Sequence, residues 1–234
     1  MTKEPGKIIA ITGIDTDIGK TIATGLIGRG LLEAGRSVIT HKAVQTGCDD
    51  VSEDIVAHRN IMGIPRQQVD LDGKTCSYLF PVPCSPHLAA RLAKKSIDPK
   101  KITRDARELS MHYKFVLLEG AGGLFVPLTE EVTLIDYFFE EKVPVILVSS
   151  SRLGSLNHTL ASLEALHNRS MSLSGVVYNR HDDRDLRIAE DSLDMISSNL
   201  RKYGFNCPLI EMYGVENYEA PGACLPFSTL CLAG

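Results

Sequence analysis

Residues 7–35 read KIIAITGIDTDIGKTIATGLIGRGLLEAG, and this stretch decides the fold. Lys7–Thr12 is an apolar run without alternation, the pattern of a strand buried on both faces. Thr21–Ala34 carries helical periodicity and stops at Gly35. Between them lies Gly13-Ile-Asp-Thr-Asp-Ile-Gly19-Lys20-Thr21, ending in G-K-T, with one residue more between its glycines than the common phosphate-loop spacing. A loop of this kind binds anions because free backbone N–H groups and the helix dipole converge on it. Its nucleotide-holding residues are Asp17, Ile18, Gly19, Lys20, Thr21 and Ile22. Lys20 reaches the terminal phosphates and the Thr21 hydroxyl offers an oxygen to Mg²⁺. The bland alternative is a Gly-bounded turn followed by a chance Lys-Thr. The strand before and the helix after favour nucleotide binding.

Outward from this unit, strands and helices alternate. Further strands are expected at Ser37–Lys42, Phe115–Glu119, Val143–Ser149 and Ser174–Asn179. Helices are expected at Pro86–Lys94, Pro99–His112, Thr133–Phe139, Leu156–His167 and Arg184–Lys202. Repeated strand–helix units with unalternating strands predict a doubly wound, mostly parallel α/β sheet of P-loop type. Without a repeat or a linker, residues 1–234 read as a single domain. The polar, Pro-punctuated residues 43–85 read as functional loops over a sheet edge.

Composition narrows the function classes. A chain of 234 residues, 44% hydrophobic and 23% charged, is long enough to bury a substantial core. A net charge of −4 gives no footprint for nucleic acid or a membrane surface. No apolar run approaches the roughly 20 residues that span a bilayer. The MTKEPGK start leads into IIAIT without a signal-type apolar region, so the expected compartment is the cytoplasm. The six cysteines lack any C-x-x-C pair and are expected to be reduced and structural.

Three more residues suggest chemistry. Glu119 ends the FVLLE strand before Gly120-Ala-Gly-Gly123, a position suited to an acid holding Mg²⁺ beside the first loop. A plain strand-terminal acid before a glycine turn is its alternative. Asp54, with Glu53 beside it as the other possible register, is a further candidate ligand or simply a first-turn helix acid. Lys42 ends the second strand and points at the same crevice; alone it would read as a solvated lysine.

GIDTDIGKT, HKAVQTG, PCSPHLAA, LEGAGGLFVPL, VPVILVSSSRLGSLNHTL and GVVYN occur here in this order. In order and spacing they resemble dethiobiotin synthetases over about residues 8–179. That resemblance implies a homodimeric P-loop enzyme taking 7,8-diaminopelargonate, CO₂ and ATP. A substrate carbamate would attack the γ-phosphate, and the neighbouring amine would then close a ureido ring. By the same resemblance Lys20 and Lys42 bracket carbamate and γ-phosphate, while Thr21, Asp54 and Glu119 form the Mg²⁺ shell. Thr16 and Thr46 contact substrate, and Asn179 reads adenine. The helix start at Gly154 and Asn157 holds the distal carboxylate, contributed by the other subunit. Ala43, Thr46 and Arg152 stand where many relatives carry proline, serine and lysine. The last two keep the hydroxyl and the charge.

Two rivals share the phosphate loop. A MinD/ParA-like ATPase switch acting on a protein partner would carry its signature lysine at position 15, which is Asp15 here. It would also want a basic amphipathic C-terminal helix, and ACLPFSTLCLAG has no charged side chain. A cobyrinic-acid-type amide ligase would need a Cys–His glutaminase in extra chain length.

Overall fold

The structure is a computed structural model and describes residues 4–181, 183 and 185–232. Seven strands form one sheet in the order β3-β2-β4-β1-β5-β6-β7, and every neighbouring pair runs parallel. They are β1 (Lys7–Gly13), β2 (Val38–Thr46), β3 (Cys76–Phe80), β4 (Phe115–Gly123), β5 (Val145–Ser150), β6 (Leu173–Asn179) and β7 (Leu209–Met212). The helices are α1 (Lys20–Glu33), α2 (Glu53–Met62), α3 (Gln68–Leu71), α4 (Pro86–Leu92) and α5 (Pro99–Ser110). After them come α6 (Leu134–Glu140), α7 (Ser155–Asn168), α8 (Leu186–Lys202) and α9 (Leu225–Leu232).

The central strands are apolar because both faces are covered. Pairing period dictates which side chains go where. Ile9, Ile11, Thr40, Lys42, Leu117 and Glu119 share the face that α1 and α2 cover. Ile8, Ile39 and Val116 point the other way, onto Ala106 and Leu109 of α5. Every strand delivers its carboxyl end to the same edge of the sheet, where ligands bind in open α/β folds.

The structure corrects the expectation at several points. β2 continues four residues past Lys42, to Thr46, so Lys42 lies within a strand rather than at its end. Residues 43–85 are no loop tract. Ser52 caps α2 by accepting from the Ile55 amide at 3.3 Å, and Gly63 ends it with φ 68°. β3 then adds the edge strand. Towards the C-terminus, β7 and α9 were not anticipated, and α8 begins at Leu186 behind an Asp185 cap. The expected start at Arg184 lies outside the described residues.

Helix α9 explains the uncharged C-terminal sequence. Its Phe227, Leu230 and Cys231 are buried against the main core. Gly30 of α1 lets it approach closely: a β-carbon there would sit 2.2 Å from the Cys224 carbonyl oxygen.

Candidate active site

The phosphate loop leaves β1 at Gly13 and enters α1 at Lys20. Its backbone is unusual at two points, Asp17 with φ 55° and Gly19 with φ 92°, so that successive amides turn inward. Asn179, at the end of β6, supports the loop from below: its Nδ2 donates to the Ile18 carbonyl at 3.0 Å, and its Oδ1 accepts from the His181 amide at 3.0 Å. Lys20 folds back to donate to the Asp15 carbonyl at 2.7 Å. Burial, helped by the charge of Lys42, lowers its pKa to about 8.

Glu119 is the hub of the site and is fully buried. Its Oε1 accepts from Lys42 Nζ at 2.7 Å and lies 3.3 Å from Thr21 Oγ1. Its Oε2 accepts from Thr24 Oγ1 at 2.6 Å and lies 2.8 Å from His58 Nε2. Burial alone would raise its pKa, but Lys42 and His58 outweigh burial and hold the carboxyl well below its usual range. Lys42 Nζ also meets Asp54 Oδ2 at 2.5 Å. Burial opposes its charge, yet Glu119 and Asp54 prevail and raise its pKa.

Thr21 Oγ1 lies 3.0 Å from Asp54 Oδ1, which brings the three expected metal ligands together. One hydroxyl and two carboxylates are the hard oxygen donors Mg²⁺ prefers, and Mg²⁺ commonly binds through one or two carboxylates plus substrate phosphate. The donor set therefore fits the ion. Among the described residues no group of three or more His, Cys, Asp or Glu side chains converges, so a softer-metal centre has no such cluster.

These residues line a cleft of about 840 Å³. Thr16, Asp17, Gly19, Lys20, Thr21, Lys42, Thr46, Asp54 and Glu119 supply its polar side, and Val44, Pro83, Pro86 and Val126 an apolar side. A smaller cavity of about 430 Å³, between α5, α6 and the start of β1, is lined by Ile8, Ala106, Met111 and Tyr137 together with Arg107, Glu141 and Lys142, and lies away from the phosphate loop. Ile18 is buried in the core, so only its backbone is available to a phosphate.

Gly154 and Asn157 stand apart from the cleft. Gly154 caps α7 with φ 93°, and Asn157 is exposed in the first turn. Beside them the buried hydroxyls of Ser151 and Ser155 have no hydrogen-bond partner. Arg152 pairs with Asp15 at 3.0 Å, tying this helix start to the phosphate loop.

Sequence reasoning missed Thr24 and His58. Both follow from helical spacing: Thr21 and Thr24 stand three apart on α1, Asp54 and His58 four apart on α2, and each pair shares a face. The signal existed as T-x-x-T and D-x-x-x-H, but it gains meaning only when α2 is seen to lie over β2 and β4.

Known proteins resemble the chain over most of its length. A family described as an AAA domain matches residues 7–204. An ATP-dependent dethiobiotin synthetase BioD of Chlorobaculum tepidum is 50% identical over 208 residues, covering 88% of this chain and 87% of its own. A second, BioD 2 of Haemophilus influenzae, is 51% identical over 185 residues, covering 79% of this chain and 97% of its own. Among solved structures, a ParA family ATPase from Chlorobium tepidum aligns with a TM-score of 0.53 at 14% identity, covering 98% of this chain and 92% of that one. So distant a likeness speaks for the fold alone. With about half of its residues shared along most of both chains, the protein belongs to the dethiobiotin synthetase family.

Proposed function

We propose that this protein carboxylates 7,8-diaminopelargonate with CO₂ and closes the ureido ring of dethiobiotin at the expense of ATP. One observation carries the reading: two lysines and the Thr21–Asp54–Glu119 oxygen set face a single cleft whose other wall is apolar. A triphosphate needs the first, an aliphatic diamine the second. One amine adds to CO₂ and loses a proton, giving a carbamate. A carbamate oxygen attacks the γ-phosphorus and ADP departs. The second amine attacks the carbonyl of the resulting carbamic–phosphoric anhydride, phosphate leaves, and the ring is closed.

The chain's own groups would divide the work. Lys20 holds the β- and γ-phosphates. Lys42 stands where carbamate and phosphoryl charges converge. Thr21, Asp54 and Glu119 would hold Mg²⁺, which when bound neutralises phosphate charge. Thr16 and Thr46 offer hydroxyls to the substrate. Asn179 keeps one N–H and one lone pair free for a purine edge. The start of α7, with Gly154, Asn157 and the partnerless Ser151 and Ser155 hydroxyls, suits the distal carboxylate. It lies outside the cleft, which supports a homodimer whose subunits share each site. The reading also takes residues 1–234 as one domain working in the cytoplasm on small molecules, without nucleic acid or membrane. No described helix is long and apolar enough to cross a bilayer.

The test is incubation with diaminopelargonate, bicarbonate and Mg-ATP. Phosphate release coupled to a ureido product is expected. Phosphate release that needs a protein partner instead would favour the ATPase-switch reading. Thr21→Val and Glu119→Ala should each lose Mg²⁺-dependent turnover while keeping the fold. Near-normal activity of Glu119→Ala at limiting Mg²⁺ would remove it from the metal site.

A further inference from the structure

His58 has no solvent exposure, yet both of its ring nitrogens are engaged. Nε2 lies 2.8 Å from Glu119 Oε2, and Nδ1 lies 3.0 Å from Thr40 Oγ1. The chemistry of one partner fixes the hydrogen on Nε2. An ionised carboxylate can only accept, so Nε2 carries the hydrogen. Thr40 Oγ1 accepts from Arg59 Nη1 at 2.7 Å and is the partner of Nδ1. Arg59 is in turn clamped by Asp70, Nε to Oδ2 at 2.9 Å and Nη2 to Oδ1 at 2.7 Å. Hydrogen bonds therefore run without a break from Asp70 through Arg59, Thr40 and His58 to Glu119.

We propose that His58 is a positioning residue whose Nε2–H holds Glu119 Oε2 away from the cleft so that Oε1 alone faces Thr21 and Lys42. The terminal torsion of a glutamate is broad and two-fold, so nothing within the side chain selects this orientation. Thr24 and His58 select it from outside, and His58 adds a rigid support anchored through Thr40 to the Arg59–Asp70 pair. Partners of this kind orient a ligating carboxylate, and their loss typically weakens metal binding or activity about 10- to 100-fold. The role rests on reading Glu119 as a Mg²⁺ ligand.

The test uses two substitutions and one spectrum. His58→Leu removes the donor; His58→Gln keeps an N–H that reaches the place of Nε2. In His58→Leu the Mg²⁺ concentration for half-maximal turnover should rise about tenfold or more, with kcat at saturating Mg²⁺ falling much less. ATP binding without Mg²⁺ should stay unchanged, and His58→Gln should return the Mg²⁺ requirement to within a few-fold of the original. Independently of activity, ¹⁵N-resolved imidazole spectra of the metal-free protein should show a hydrogen on His58 Nε2. A bare Nε2, or a folded His58→Leu with an unaltered Mg²⁺ requirement, overturns the proposal. If His58→Leu does not fold, a His58→Gln whose Mg²⁺ requirement is as high as that of Glu119→Gln does the same. Glu119→Gln separates the two readings. An unaltered Mg²⁺ requirement there removes the metal role of Glu119 and this role of His58 together. A raised requirement in Glu119→Gln, with none in His58→Leu, removes His58 alone.

Discussion

Lys20 and Lys42 share a cleft but experience opposite fields, and their behaviour should differ accordingly. Lys20, with its pKa lowered to about 8 chiefly by burial, is partly neutral in mildly alkaline solution. A bound triphosphate favours the ammonium and raises that pKa. The bound state then holds more protons than the free one above pH 8, so ATP affinity should be constant below about 8 and fall as pH rises beyond it. Calorimetry at pH 9 in buffers of different ionisation enthalpy should show proton uptake on binding; none would contradict the field described. Lys42 stays charged because Glu119 and Asp54 outweigh its burial. Lys42→Gln should cut single-turnover rates about a hundredfold or more, the scale of a lost oxyanion donor, while equilibrium ATP binding changes far less. An unchanged chemical step would take Lys42 out of the mechanism. At this scale the sequence was legible where a residue type met a fixed local frame. Lys20 and Thr21 follow directly from the loop, whereas Glu119, expected to end its strand, lies inside β4, which continues to Gly123. His58 and Thr24 were not legible, because a histidine or threonine on a helix gains a role only from the strand beneath it.

Element α1 shows how close packing is written in glycine. Gly30 admits α9, while at Gly25 a β-carbon would lie 2.8 Å from Ile61 Cβ of α2. On an exposed helix, Gly→Ala would gain up to about 1 kcal/mol. Gly30→Ala should instead destabilise by about 1–3 kcal/mol, since the obstacle is the Cys224 backbone rather than a movable side-chain tip. Urea unfolding midpoints decide the sign, and a more stable variant would show that α9 yields easily. The elements legible in the sequence are those covered on both faces: β1, β4, β5 and β6 read as unbroken apolar runs. The short edge strands β3 and β7 carry Ser77 and Glu211 and lack that signature. Helix α2 was hidden because its inner face is mixed. His58 and Arg59 lie buried between Ile55 and Met62 and serve Glu119 and Asp70, so the hydrophobic period is interrupted.

For the whole molecule, the proposed sharing of each site between two subunits predicts an obligatory dimer. Sedimentation at assay concentration should find two chains per particle; an active monomer would refute the shared site. Mixing inactive Lys42→Gln with an inactive Asn157→Ala should restore part of the activity, because some mixed particles carry one intact site. The parallel topology and the shared edge were legible from strand type alone, whereas the strand order was not, since nothing local tells β1 which strands will flank it. That order has a bearing on synthesis. β1 lies between β4 and β5, and its first contact, Lys7 with Phe115, joins residues over a hundred positions apart. The phosphate loop is thus synthesised about a hundred residues ahead of the first strand that pairs with β1, and Glu119 arrives with that neighbour. A nascent chain stalled before β4 would display G-K-T without a carboxylate behind it. The loop and its carboxylate therefore meet only once the polypeptide between β1 and β4 has been made.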